Sequence, residues 1–385
     1  VVGRGVDAGS PGSAEARRAS WLELFFDLVF VVAVFQLGGL LHEDPSVHGV
    51  LVFAGLMTTI WWLWFSFSYF ADLFDDDRPP SRFVQLVAML GVLALAAALH
   101  GGVAADSVLF ALLYGLLLAL LAGMYAVVGW RRESAREFCW WNAAGFLLGA
   151  VLWLSSLLVP APARYALWGV GLALNAAVAG PLAYTWAGRA PVQRSHMPER
   201  FGLFTIVVLG EAVLAVANGI SDTGWRPAAA AVGIGGFVIA CGIWWVYFAS
   251  TFDQEAGNRA LRGGRAQVVR SYLYAYGHLL VYGSIVASGV AVEVAAREAV
   301  HGDHGVAGPL LGGSQLTLIL GCVVVYRGFD VRVSRGVALA QVGLALAAVV
   351  IGLGGLPPPA TVLLVALAWV TLALVEWRSP PVWRR

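Results

Sequence analysis

Runs of about 20 apolar residues, separated by short polar breaks, recur along the whole chain. Twelve can be counted, at 22–41, 47–70, 82–100, 107–130, 138–159, 165–186, 200–220, 228–251, 269–294, 307–326, 335–355 and 360–377. Each is long enough to cross a hydrocarbon core of ~30 Å. In lipid every backbone amide must be satisfied within the protein, so only helices and closed barrels span; runs this long and continuous predict helices. Short or weak spans leave ten or eleven as alternatives to twelve.

The pattern also says nearly the same thing twice. Ile60-Trp61-Trp62-Leu63-Trp64-Phe65, followed by Asp72 and Asp75–Asp77, returns as Ile243-Trp244-Trp245-Val246-Tyr247-Phe248, followed by Asp253 and Glu255. Glu23-Leu24-Phe25-Phe26 precedes the first copy, and Glu199-Arg200-Phe201-Gly202 precedes the second. Helices led by Arg82 and Arg270 follow. The expectation is an all-α, polytopic membrane protein of two parallel six-helix repeats, each of about 180 residues. The implied boundaries are a disordered polar tail over 1–19 and repeats over 20–190 and 191–380. Duplicated membrane proteins commonly place their working site between the halves.

Composition agrees: 59% of residues are hydrophobic and 12% charged, against about 25% charged in soluble domains. The mean hydropathy is +0.78. There is no lysine, and with the N-terminus cytoplasmic all but Arg164, Arg226 and Arg297 of the 24 basic residues fall inside. The positive-inside rule therefore favours an even helix number and cytoplasmic N- and C-termini. Six helices per half give both halves one orientation, related by an axis along the membrane normal. A net charge of +1 leaves no nucleic-acid footprint. Cys139, Cys241 and Cys322 have neither metal spacing nor a disulfide framework. Residues 1–19 lack the apolar stretch of a signal peptide.

Ionisable residues inside membrane helices are expensive and ask for an explanation. Glu23 and Asp27 share a helix face, with Asp27 about 9 Å above Trp21. Glu211 lies about 16 Å above Arg200, and His278 about 12 Å above Arg270. All three helices run the same way in this topology, so Asp27, Glu211 and His278 are candidates for one cavity. Glu211 is flanked only by apolar residues. It is either a carboxyl bonded to one neighbouring helix or part of a pathway. Asp27 could equally pair with Glu23 or an arginine, and His278 could be a packing histidine.

The acidic run Asp72, Asp75, Asp76, Asp77, with Arg78 and Arg82, closes the second helix. A solvated loop is the plain reading. The alternatives are a Mg²⁺ site with oxygen ligands, with the two arginines holding an anion, or an arginine clamp. The pairs Trp61–Trp62 and Trp244–Trp245 lie about ten residues inside their helix ends, too deep for an interfacial belt. Packing between the halves is the expectation, with a lining for an apolar or cationic ligand as the other reading.

Trp21-Leu-Glu-Leu-Phe-Phe-Asp27 and its apolar continuation to Val34, then Asp75-Asp-Asp-Arg-Pro-Pro-Ser-Arg82, then Glu199-Arg-Phe-Gly-Leu-Phe-Thr-Ile-Val-Val-Leu-Gly-Glu211, then Tyr276-Gly-His278 resemble the bacterial low-temperature-requirement A family. The resemblance covers about residues 20–377. It implies a bacterial cytoplasmic membrane and no established activity. The family's Asp-x-Asp-Asp is here Asp75-Asp76-Asp77. The stretch from Leu22 to Val34 also resembles the first helix of the endolysosomal potassium channels, with Phe26 in place of their serine; the second half has Leu203 where that motif has Asp.

Three functions follow in order of preference. The first is movement of a small solute or ion, proton- or cation-linked, through a site between the repeats that includes Glu23, Asp27, Arg200, Glu211, His278 and the Trp pairs. The second is a membrane-embedded enzyme acting on a lipid or isoprenoid diphosphate with Mg²⁺. The third is a structural or regulatory membrane protein. The lipid bilayer is a partner in all three, a homo-oligomer is compatible with each, and nucleic acid with none.

Overall fold

The structure is a computed structural model that describes residues 20–74, 78–100, 102–177, 197–248, 265–302, 305–329 and 333–378. Among them are twelve α-helices and no strand: α1 (Trp21–Glu43), α2 (Val47–Phe74), α3 (Pro79–Ala97), α4 (Val103–Arg131), α5 (Arg136–Ser155), α6 (Ala163–Ala177), α7 (Met197–Asp222), α8 (Pro227–Val246), α9 (Arg265–His301), α10 (Ala307–Phe329), α11 (Arg335–Leu353) and α12 (Pro358–Arg378). All but α6 contain a stretch long and apolar enough to cross a membrane. The described part of α6 has 15 residues. The second half of its expected span, 178–186, lies outside the described residues, as do 1–19 and Asp75–Asp77.

Local chemistry sets the helix starts. Ser20 caps α1: its hydroxyl accepts from the Glu23 amide at 3.3 Å, and the Glu23 carboxylate accepts from the Ser20 amide at 2.7 Å. This reciprocal pair satisfies two otherwise orphaned donors. Proline opens α3, α8 and α12, where no intrahelical N–H bond is lost. Between α1 and α2, outside the spans, Ser46 hydrogen bonds hold the Asp44 carboxyl below the usual carboxylate range.

Neighbours in sequence pack as neighbours in space through α1–α2, α3–α4–α5–α6, α7–α8 and α9–α10–α11–α12. Helix α1 also packs on α3, α7 on α9, and α8 on both α9 and α12. The first six helices meet the last six where α1 and α2 lie against α7 and α9. Helices α2 and α9 are accordingly the most enclosed spans, and α3 and α11 are among the most peripheral.

Helices α1, α7 and α9 run parallel along this seam. Gly38 meets Val286 and Val290, Ala212 meets Gly289, and Gly219 meets Glu293 and Ala296. A Cβ on Gly289 would stand 2.7 Å from the Ala212 Cα, so the approach of α7 to α9 requires glycine there.

Candidate functional site

The seam holds a buried ion pair. Arg200 of α7 donates through Nη2 to Asp27 Oδ1 of α1 at 2.6 Å. The indole Nε1 of Trp64, on α2, donates to the same oxygen at 2.8 Å. Asp27 is 2% exposed and Arg200 1%. Arg200 also reaches the Ser68 carbonyl at 3.5 Å through Nη1, and its guanidinium lies 5.9 Å from the centre of the Phe26 ring. Packing fixes Trp64, which stacks on Phe204 at 4.4 Å and meets Phe201 edge-on at 5.3 Å. Placing two charges in a low-dielectric interior is costly unless each is well paired. Yet Asp27 Oδ2, Arg200 Nε and the Ser68 hydroxyl are buried without a protein partner.

On the other side of Phe201 lies a second polar pair. His278 of α9 is fully buried, its ring 4.5 Å from that of Phe201. Its Nδ1 is 2.8 Å from the Tyr274 carbonyl and its Nε2 2.8 Å from the hydroxyl of Tyr247, the residue that caps the end of α8. A carbonyl can only accept, so in the neutral ring Nδ1 carries the hydrogen and Nε2 accepts from Tyr247. Tyr282, one turn along α9, donates to the Phe201 carbonyl at 2.8 Å.

Glu211 is not in this cluster. It lies eleven residues along α7 from Arg200, about 16 Å, half-buried, and its electrostatic neighbour is Glu293 of α9. Glu293 lies 3.6 Å from His42 Nδ1 and 3.8 Å from Arg297, and Arg297 lies 3.1 Å from Asp222. The three parallel helices thus carry one charged cluster near their starts, a second towards their ends, and Glu211 in between.

Asp27 and Arg200 touch each other, and His278 sits beside them across Phe201. Glu23 faces its own helix start as a capping residue; the Ser20-x-x-Glu23 pattern was the signal for it. Trp61 and Trp62 pack between the halves, with ring centroids 5.4 and 6.4 Å from Tyr276 of α9. Trp244 and Trp245 do not: they are 47% and 40% exposed on the outer face of α8, because the buried face there is taken by Ile243, Val246 and Tyr247. Asp72 is partly buried, within electrostatic range of Arg200. Arg78 and Arg82 lie exposed at the start of α3. The rest of the suggested Mg²⁺ site, Asp75–Asp77, lies outside the described residues. Among the described residues no group of three acidic, His or Cys side chains could hold a metal ion.

Sequence reading passed over Trp64, Ser68 and Tyr247, which lie in or beside the repeated aromatic string. It also passed over buried polar groups of the second half: Gln315, bonded to Ser288, Ser314 and Trp369, and Glu376, near Gln341.

This is a helical multi-pass membrane protein with a buried charge pair between its first and last six helices. The chain belongs to the family described as bacterial low temperature requirement A protein, whose model matches residues 18–375. It is also similar to an uncharacterised protein of Rhizobium meliloti (strain 1021), 28% identical over 289 residues, covering 72% of this chain and 69% of the relative. No solved structure matches it significantly.

Proposed function

We propose that this protein moves a small solute or ion, coupled to protons or cations, along the seam between α1, α2, α7 and α9. The observation that carries the reading is the Asp27–Arg200 pair, which joins the two halves of the chain while Asp27 Oδ2 and Arg200 Nε keep unused hydrogen-bonding capacity. A purely structural bridge is better served by saturating its charges. Half-used charges are suited to exchanging partners with a passing ion or proton. Glu211, farther along the same seam, supplies a second exchangeable carboxyl. In this reading the two halves are parallel six-helix repeats over 20–190 and 191–380, both termini are cytoplasmic, and the protein sits in the bacterial cytoplasmic membrane.

The test is flux in proteoliposomes under potassium, sodium and proton gradients in turn. Wild-type protein is expected to carry flux in one of them, and Glu211→Gln to lose most of it while folding normally. Absence of flux under every gradient, or full flux in Glu211→Gln and Asp27→Asn alike, overturns the proposal.

A further inference from the structure

The Asp27–Arg200 pair has a closed side and an open side. Asp27 Oδ1 already accepts from Arg200 Nη2 at 2.6 Å and from Trp64 Nε1 at 2.8 Å. Asp27 Oδ2, Arg200 Nε and the Ser68 hydroxyl have no protein partner. Oδ2 and Nε each share a carbon with an atom of the 2.6 Å contact, and the Ser68 carbonyl lies 3.5 Å from Arg200 Nη1. Helices α1, α2 and α7 therefore each bring one open polar group to the same ion pair. Asp27, Arg200 and Ser68 are 2%, 1% and 0% exposed, so bulk solvent does not serve them.

Buried polar atoms of this kind call for a partner. The set is mixed: Arg200 Nε can only donate, Asp27 Oδ2 as a carboxylate can only accept, and the Ser68 hydroxyl can do either. A water molecule suits all of them, since a buried water needs about two to four polar partners. A metal cation does not. Sodium or potassium must exchange its hydration shell for protein oxygens. Among the described residues, the side-chain oxygens left open at the pair are Asp27 Oδ2 and the Ser68 hydroxyl. The Arg200 guanidinium, always charged, also repels a second cation at this place. A proton needs a single oxygen.

We propose that the ion coupled to transport is the proton, and that it binds at Asp27 Oδ2 through a water held by Arg200 Nε and the Ser68 hydroxyl. The inference rests on the transport reading and names its ion. A hydronium breaks one O–H bond, Asp27 Oδ2 gains that hydrogen, and a neutral water stays behind; Arg200 keeps its charge. The bridge between the halves then loses its anion. A buried cation without its counter-ion is strongly unfavourable. Proton uptake therefore favours release of Arg200 from Asp27 and separation of α1 from α7, and proton loss restores the pair.

The groups that set this equilibrium come from each helix around the pair. Glu23 of α1 and Arg200 of α7 act on Asp27 directly, and Asp72 of α2 acts on Arg200. From α9, Tyr282 lies within electrostatic range of Asp27, and His278 stands across Phe201. Helix α3, also packed on α1, carries Arg82 exposed at its start.

The experiment uses full-length protein in proteoliposomes given one inward pH step, in buffer whose cation is choline, then sodium, then potassium. An internal pH dye reads proton entry above that of protein-free vesicles. Equal entry in all three buffers is expected. It should fall about ten-fold or more in Asp27→Asn and about five-fold in Ser68→Ala, which keeps the charge pair but loses one hydrogen bond to the water. Infrared difference spectra between alkaline and acid buffer give a readout apart from flux. A carboxylic-acid band should appear on acidification in wild type and Ser68→Ala and be missing in Asp27→Asn. If Asp27→Asn does not fold, Asp27→Glu keeps the carboxyl and should shift that band. Flux driven only by a sodium or potassium gradient overturns the inference and leaves the transport reading standing. So does full proton entry in both Asp27→Asn and Ser68→Ala, or an Asp27 that stays ionised where proton entry titrates. No flux under any gradient overturns both.

Discussion

Two copies of one aromatic string lie in this chain, and they end in different surroundings. In α2, Trp61, Trp62, Trp64 and Phe65 are all buried. In the second string, at the end of α8 and just past it, Trp244 and Trp245 face outward, Phe248 is half-buried, and only Tyr247 of the four large aromatics at the matching positions is buried. The cause is enclosure. Helix α2 is clasped by α1, α7 and α9, so every direction from its middle meets protein. Helix α8 packs on α7, α9 and α12 and leaves one side open. What the strings share is the fourth position counted from Trp61 and from Trp244. Trp64 donates to Asp27, and Tyr247 bonds His278. An aromatic N–H or O–H in that place addresses a titratable side chain in both halves, while the neighbouring pair follows whatever surface its helix meets. The meeting of the halves is also one-sided: α9 packs on α1 and α2, but among the described residues α3 makes no comparable contact with α7 or α8. The likeness of the two strings does not extend to the seam.

The largest effect should come from the Asp27–Arg200 ion pair, which Trp64 of the first string joins. Asp27→Leu leaves Arg200 buried without its anion, and Arg200→Leu does the reverse. Each should cost about 3–5 kcal/mol. The double variant Asp27→Leu/Arg200→Leu should recover most of that loss, because an apolar pair avoids the desolvation of both charges. Thermal unfolding in one detergent checks all three. A double variant as unstable as the worse single would mean that the charges are required for assembly itself.

The tryptophan pairs come next. Trp61→Ala or Trp62→Ala removes an indole packed against Tyr276 and should cost about 3–5 kcal/mol. Trp244→Ala and Trp245→Ala remove side chains that are about half exposed and should cost about 1 kcal/mol or less. Equal losses at both pairs would erase the contrast between the copies.

Much of the scaffold was legible before any geometry. The expected span 22–41 is found as Trp21–Glu43, and 335–355 as Arg335–Leu353, because a bilayer forces apolar length and helix to coincide. Depth was legible only in part: rise per residue puts Asp27, His278 and Glu211 about 9, 12 and 16 Å along their helices, close enough to suggest one cavity, yet Glu211 lies apart from the Asp27–Arg200 pair and His278. Azimuth was not. Nothing in the string of letters says that Asp27 faces Arg200, 173 positions away, and not Glu211. The expectation of packing between the halves held for Trp61 and Trp62 and failed for Trp244 and Trp245 for the same reason, since similar strings on two helices meet lipid or protein according to neighbours that sequence does not name. Glu23 was a miss of another kind, for its Ser-x-x-Glu spacing was in plain view.

Smaller effects sharpen the shared fourth position. Trp64→Phe keeps the ring and removes the N–H bonded to Asp27. A hydrogen bond to a charged partner contributes about 1.5–3 kcal/mol. Tyr247→Phe removes a bond between neutral groups, for which membrane interiors give about 0.6 kcal/mol. The first variant should therefore unfold at a distinctly lower temperature than the second. The proposed transport adds a separate readout: Trp64→Phe removes one of the two donors to Asp27 Oδ1 and should alter flux, whereas Tyr247→Phe acts only on the His278 side. Equal shifts in both measurements would mean that the fourth position serves packing in both copies.

The smallest effect separates the two faces without unfolding anything. Lipids brominated along their chains quench indoles that touch the bilayer. Replacing Trp244 and Trp245 by Leu keeps that surface apolar and should change stability by less than about 0.5 kcal/mol. It should nevertheless remove part of the quenchable fluorescence, because both indoles face outward. Replacing Trp61 and Trp62 by Phe removes two indoles that lie behind protein, 1% and 2% exposed, and should leave the quenched part unchanged. A drop in quenching with Trp61 and Trp62, and none with Trp244 and Trp245, would turn the comparison round and place lipid against α2 at the level where the two halves are packed together.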